Sequence, residues 1–195
     1  MDEVVLLYLL SGASGCDRYH PCFGIRKYQF DGIDLGSGRA VDVKLEVNKM
    51  IYRIMETSDY QGVYDLWIHT PGMGLNTTDD SEEGISKYLR RNPTTSFVAE
   101  DNGRIIGVIM AGHDGRRGYI HHTAVLPDYR GKHVGKCLVE HAMDALEKEG
   151  IHKVALVAFE RNEIGNGFWD SLGFESREDL IYRNKNIHKL VRIDT

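Results

Sequence analysis

Seven consecutive residues, Arg130-Gly131-Lys132-His133-Val134-Gly135-Lys136, combine three permanent cations with two glycines. At the start of a helix such a run is an anion site, because the first backbone N–H groups have no intrahelical acceptor and the helix dipole is positive there. A pyrophosphate is the ligand it would take, in a chain whose 24 Lys plus Arg and 29 Asp plus Glu otherwise leave a net charge of −5. The plainer alternative is a solvated basic helix start. Two well-known phosphate loops fail on spacing. A Walker A loop needs four residues between its glycines and then Lys-Ser/Thr; Gly131 and Gly135 enclose three, and Cys137 follows Lys136. No G-x-G-x-x-G occurs anywhere, which removes the dinucleotide fingerprint. Upstream, His121 and His122 are adjacent, and an imidazole can accept or donate a proton near neutrality. In a strand they would point to opposite faces, His121 with Tyr119 and Thr123, unless both simply fill half-buried positions.

These residues need elements to hold them. Ile51–Met55 reads as a strand, Ser58 and Gln61 as a capping box, and Tyr60, Val63, Tyr64, Trp67 and Ile68 as the buried face of a helix. Asp80-Ser81-Glu82-Glu83 opens a second helix carrying Ile85, Tyr88 and Leu89, which Asn92-Pro93 closes. Strands at 96–100 and 104–111 join through Asp101-Asn102-Gly103, a hairpin signature, and a second hairpin leads into a strand at 119–126. The basic loop then opens a long helix ending at Gly150, with Val134, Cys137, Leu138, Ala142, Ala145 and Leu146 inward. Val154–Phe159 reads as a strand covered on both sides, Asn162 caps a weak helix to Leu172, and strands are expected around Glu175 and at 180–183. The order gives an α/β sandwich. Residues 1–49, rich in glycine and aromatics but without period, read as an extension that is poorly ordered or precedes the natural start; 50–195 read as the folded unit.

Composition narrows the partners. With 42% hydrophobic and 27% charged residues the chain can build a core. Its longest apolar run, Val4–Leu10, is far short of the ~20 residues a membrane helix needs, and acidic Asp2 and Glu3 argue against an export signal. An acidic chain carries no general nucleic-acid footprint. Cys16, Cys22 and Cys137 form no C-x-x-C, so neither a disulfide framework nor a zinc ribbon is expected; a cytoplasmic home is the simplest, and Cys137 reads as core rather than nucleophile.

The passage from Ala124 to Gly135 resembles the coenzyme A loop of the GNAT superfamily of N-acetyltransferases, Arg/Gln-x-x-Gly-x-Gly/Ala, with Arg130 and Gly135 at its ends. Asn162 and Leu172-Gly173-Phe174 match the family's second landmark, and the likeness extends over about residues 51–184. It implies an α/β fold with a mixed, mostly antiparallel six- to seven-stranded sheet flanked by helices. It also implies direct attack of a primary amine on the thioester of acetyl-CoA in a ternary complex, with no metal. Acetyl-CoA would lie on Ala124, Val125, Leu126, Arg130, Gly131, Lys132, His133, Val134, Gly135, Lys136 and Asn162. The Val125 N–H would serve the oxyanion and His121 or His122 would be the base. Three departures stand out: His133 replaces the first motif glycine, Gly165 a common alanine, and Trp169 the tyrosine that in many relatives is proposed to protonate the thiolate. That last change keeps open a non-catalytic acyl-CoA sensor of the same fold. The acceptor would be a small-molecule or peptide amine, without nucleic acid or membrane, and homodimerisation is left open. Asp79, Asp80, Glu82 and Glu83 border the expected acceptor wall and would suit a cationic amine, unless they only favour the helix start.

Overall fold

A computed structural model describes residues 50–193. In chain order the elements are β1 (Met50–Ile54), α1 (Tyr60–Ile68), β2 (Leu75–Asn76), α2 (Glu82–Arg91), β3 (Phe97–Asp101), β4 (Arg104–His113), β5 (Gly118–Val125), α3 (Val134–Lys148), β6 (Val154–Leu156), α4 (Glu163–Ser171) and β7 (Arg192–Ile193). A five-stranded sheet runs β1-β3-β4-β5-β6, antiparallel throughout except for the β5–β6 pair. The Asn102-Gly103 turn joins β3 to β4 with both residues at positive φ, 50° and 80°, as a type I′ hairpin requires.

The two faces of the sheet are covered by different helices, as strand alternation dictates. Val98, Val108, Met110 and Ala124 pack with Val63, Trp67, Ile85 and Leu89 of α1 and α2. Phe97, Ala99, Ile109, Ala111 and Ile120 pack on the opposite face with Val134, Leu138, Ala142 and Leu146 of α3. The α/β sandwich with a mostly antiparallel sheet is therefore as expected, although its strands divide differently. The main sheet holds five, and β2 and β7 pair separately as a two-stranded ribbon, Leu75 opposite Ile193.

Several local expectations are corrected. β6 spans only Val154–Leu156 and is half exposed, with Val157 at 55% and Phe159 at 37%, because it is the sheet's edge. No strand forms around Glu175 or at 180–183; that stretch is exposed and its charges are satisfied locally, as in the Arg177–Asp179 pair. Ser58 does not cap α1. The Asp59 carboxylate accepts the Glu56 N–H at 2.8 Å and is gripped by Arg53 at 2.7 and 2.8 Å, so the turn is closed from β1. Ile68 lies at the exposed edge of α1, and Leu66 is buried in its stead. Ser81 does cap α2, accepting the Gly84 N–H at 3.1 Å. Cys137 is fully buried in α3, as expected of a core residue, and its sulfur is disulfide-bonded, where no disulfide framework was expected. The extension expected at 1–49 lies outside the described residues.

Candidate active site

Pairing between β4 and β5 contains an irregularity that decides where the histidines point. Ile109 faces Thr123 and Ala111 faces Ile120, so one residue of β4 stands opposite two of β5, His121 and His122. Such a bulge resets the alternation of the strand. Before it, Ile120 faces α3; beyond it, Ala124 faces α1 and α2. Both histidines consequently lie on the α1/α2 face, not on opposite faces as simple alternation predicts. His121 meets the rings of Tyr88 at 5.4 Å and Tyr119 at 4.7 Å, while His122 meets Trp67 at 5.0 Å.

Their surroundings differ. His121 keeps an exposed edge, but burial against its aromatic neighbours pushes its pKa below the usual histidine value, and like charge on His122 adds to that. His122 points inward, 2.7 Å from the Oδ1 of Asp80, a carboxylate only 5% exposed. The other Asp80 oxygen accepts the Asn76 N–H at 2.7 Å, and Tyr60 donates to the Asp80 carbonyl at 3.0 Å. Around the bulge sit Trp67 Nε1, Tyr88 Oη and Thr123 Oγ1, which are the buried side-chain polar atoms without a hydrogen-bond partner among the described residues. Unpaired buried donors are costly and therefore mark places where a ligand has reason to bind.

The outer edge of β5 is open. Its pairing with β6 ends at Ile120–Leu156, leaving residues 121–125 without a neighbour on that side among the described residues. Leu126 donates to Ile106 at 2.9 Å, so by antiparallel alternation the N–H of Val125 turns away from β4 toward this edge. The Val125 carbonyl on the same edge accepts Arg130 Nε at 3.3 Å. A short turn, Pro127–Tyr129, then delivers the chain to Gly131 and His133, both at positive φ, and to the first turn of α3. There the N–H groups of Val134, Gly135 and Lys136 have no helical acceptor, since the first bond within the helix is Cys137 N–H to the His133 carbonyl at 3.0 Å. Lys132 lies over the Tyr129 ring at 5.0 Å and Lys136 is 3.8 Å from Glu140, so the cations stand exposed around this N-terminus. Ala124 is buried and offers only backbone, and its N–H is turned toward β4. Among the described residues no three His, Cys, Asp or Glu converge as metal ligands, and no helix is long and apolar enough to cross a membrane.

An open strand edge running into an anion-binding helix start is the frame for an extended thioester with a pyrophosphate. Residues 60–174, more than half of the chain, match the acetyltransferase (GNAT) family. The chain belongs to this family. An acetyltransferase of Yersinia pestis is 32% identical over 132 residues, spanning 68% of this chain and 92% of the relative. Among solved structures, the PaiA N-acetyltransferase of Thermoplasma acidophilum with coenzyme A superposes with a TM-score of 0.59 at 18% identity, covering 67% of this chain and 92% of that one. AAC(6')-Iy in complex with the bisubstrate analogue CoA-S-monomethyl-acetylneamine gives 0.56 at 22% identity, covering 71% and 99%.

The departures of this GNAT acetyltransferase from the usual motif now have physical readings. His133, where the motif usually has its first glycine, is left-handed, φ 63°, a conformation that favours glycine, and its side chain is exposed. Gly135 is closely packed: a Cβ there would lie 3.2 Å from the end of the Phe168 ring of α4, so a side chain would need that ring to shift. Gly165 lies beneath the capping side chain of Asn162, which accepts its N–H at 3.0 Å; a Cβ would approach the Asn162 amide to 2.4 Å. Asn162 is thus occupied as a helix cap. Trp169 packs between Phe168 and Phe174, at 5.0 and 5.1 Å, against the α3-side core, and carries no acidic proton for a thiolate. Trp67 and Tyr88 were legible only as helix-face residues and Asp80 only as part of the acidic run 79–83 on the expected acceptor wall; the contact of Asp80 with His122 had no signal in the sequence.

Proposed function

We propose that this acetyltransferase carries the acetyl group from acetyl-CoA to a primary amine by direct attack, the two substrates meeting at the open edge of β5. The observation that carries this reading is the continuity of the unpaired 121–125 edge with the cationic start of α3. The pyrophosphate lies on the loop 130–136, held by its N–H groups and by Arg130, Lys132 and Lys136. The pantetheine arm extends β5 like another strand, and the Val125 N–H supports the carbonyl oxygen as charge develops on it. The acceptor enters from the α1/α2 face, where His121 and His122 can take its proton. A thiol pKa of about 8.5 makes the thiolate a tolerable leaving group, so water can reprotonate it where Trp169 cannot. Asp79, Glu82 and Glu83 border that side and favour a cationic acceptor, a small molecule or a peptide. Asp80 is turned inward and does not form part of that outer charge.

Calorimetric titration of acetyl-CoA into the full chain, beside an Arg130→Glu, Lys136→Glu variant, tests the placement. The wild type binds and the folded variant loses at least about 30-fold in affinity, since two cations become anions beside a pyrophosphate. A folded wild type that fails to bind overturns the reading. The Trp169 position supports a second reading, an acyl-CoA-binding module without turnover. Thiol release with spermidine, a lysine peptide and a peptide with a free N-terminus discriminates: transfer to any of them removes that alternative.

A further inference from the structure

We propose that Asp80 is a positioning residue that makes His122 the proton acceptor of the transfer, with Nδ1 as the basic atom. This rests on the N-acetyltransferase reading of the site and goes further by separating the two histidines. An ionised carboxylate only accepts hydrogen bonds, so the 2.7 Å contact between Asp80 Oδ1 and His122 Nε2 places the imidazole proton on Nε2 and leaves the Nδ1 lone pair available. Nothing about Asp80 is loosely held. It is 5% exposed, its second oxygen takes the Asn76 N–H at 2.7 Å, and Tyr60 anchors its carbonyl at 3.0 Å. The ionisable groups facing His122 are Asp80 from the β2–α2 connection and His121 from its own strand, while α1 contributes the neutral indole of Trp67. Among the described residues no carboxylate is at hydrogen-bond distance from His121, which meets only the Tyr88 and Tyr119 rings, and its burial disfavours the cation it would become.

The step balances. An ammonium acceptor gives one proton to Nδ1, and the resulting imidazolium is paired with Asp80 across Nε2. The amine nitrogen then attacks the thioester carbon. A C–N bond forms, the C–S bond breaks and the electron pair leaves with sulfur. The surplus proton on nitrogen neutralises the thiolate through water, giving amide and thiol, and the imidazolium returns its proton to solvent.

The test uses the full chain with acetyl-CoA and whichever of spermidine, a lysine peptide or a free-N-terminus peptide the wild type acetylates. Two-bond nitrogen–proton NMR of the imidazoles, with His122 assigned by its loss in a His122→Gln variant, reads the tautomer without any acceptor. His122 is expected as the Nε2–H form, and Asp80→Asn is expected to abolish that signature. The same variant lowers kcat about 10- to 100-fold, part of the 10²–10⁴ a general base contributes. KM and acetyl-CoA affinity stay within about twofold, so the loss appears in kcat alone. An Nδ1–H tautomer in the wild type overturns the proposal even if the variant folds poorly. So does an Asp80→Asn enzyme with kcat within about twofold of wild type, or a wild type that binds acetyl-CoA but acetylates none of the three amines. A wild type that does not bind acetyl-CoA is a separate failure, that of the proposed function.

Discussion

His133 sits at φ 63° and ψ 7° immediately ahead of α3, a left-handed conformation that costs a residue with a Cβ about 1–2 kcal/mol. Gly135, two positions on, answers to something else: its backbone is helical, and it is the close approach of the Phe168 ring, 3.2 Å from where a Cβ would stand, that limits a side chain. Two positions of one motif thus answer to different constraints, conformation at the first and contact at the second. Backbone N–H groups meet phosphate whatever the side chain is, so a histidine can stand at 133 at the cost of strain. His133→Gly is therefore expected to raise stability. The gain is the strain relieved less the roughly 0.5–1 kcal/mol that glycine's freedom adds to the unfolded chain. A net of about 0.5–1 kcal/mol corresponds to a rise of about 1–4 °C for a protein of this size. Acetyl-CoA affinity should stay within about twofold. Thermal melting with and without acetyl-CoA measures both, and a lower melting temperature in the glycine variant would show that the side chain supports the loop.

At the scale of elements, the start of α2 does more than begin a helix. Gly84 lies in its first turn, directly under the Thr78–Ser81 turn that carries Asp80; a Cβ there would be 2.3 Å from the Asp79 carbonyl and 2.6 Å from that of Thr78. These are backbone atoms and cannot swing away, so Gly84→Ala must lift the turn. The expected result is a loss of about 1–3 kcal/mol in urea denaturation, as for other overpacked sites. Displacing Asp80 from His122 should also lower turnover further than the stability loss explains, at temperatures where the variant is fully folded. Unchanged kcat in a folded Gly84→Ala protein would mean that Asp80 need not be held where it is. The start of α2 in the run Asp80–Glu83, the Asn102-Gly103 hairpin and the stop at Gly150 were legible in the sequence because each is written in a few neighbouring residues. The bulge was not. It is a relation between the registers of β4 and β5, and nothing in His121-His122-Thr123 alone says that alternation breaks there. The Asp80–His122 contact spans 42 residues and was hidden for the same reason, and a β6 too short to pair beyond Leu156 left the strands expected after it unformed.

At the scale of the whole molecule, the proposed site joins two halves along one strand. The start of α3 would hold the anion, and the β5 histidines face α1 and α2, with the outer edge of β5 open beyond Ile120 among the described residues. Among the described residues, both packed faces of the sheet draw on Met50 and the residues that follow it, and β1 pairs with β3 from Met50, which lies opposite Asp101. A protein beginning at Met50 is accordingly expected to keep a single cooperative melt and to bind acetyl-CoA within about twofold of the full chain. The comparison should be run with reductant in both samples, so that the disulfide of Cys137 is not the variable. Cys137 is fully buried, and a reduced sulfur there behaves as a small apolar group. An insoluble product, or a broad non-cooperative transition, would place part of the stabilising surface within residues 1–49 and make them a component of the fold. Retained cooperativity with lost binding would instead assign those residues to the acetyl-CoA site, because the sheet and the start of α3 would then be intact without them.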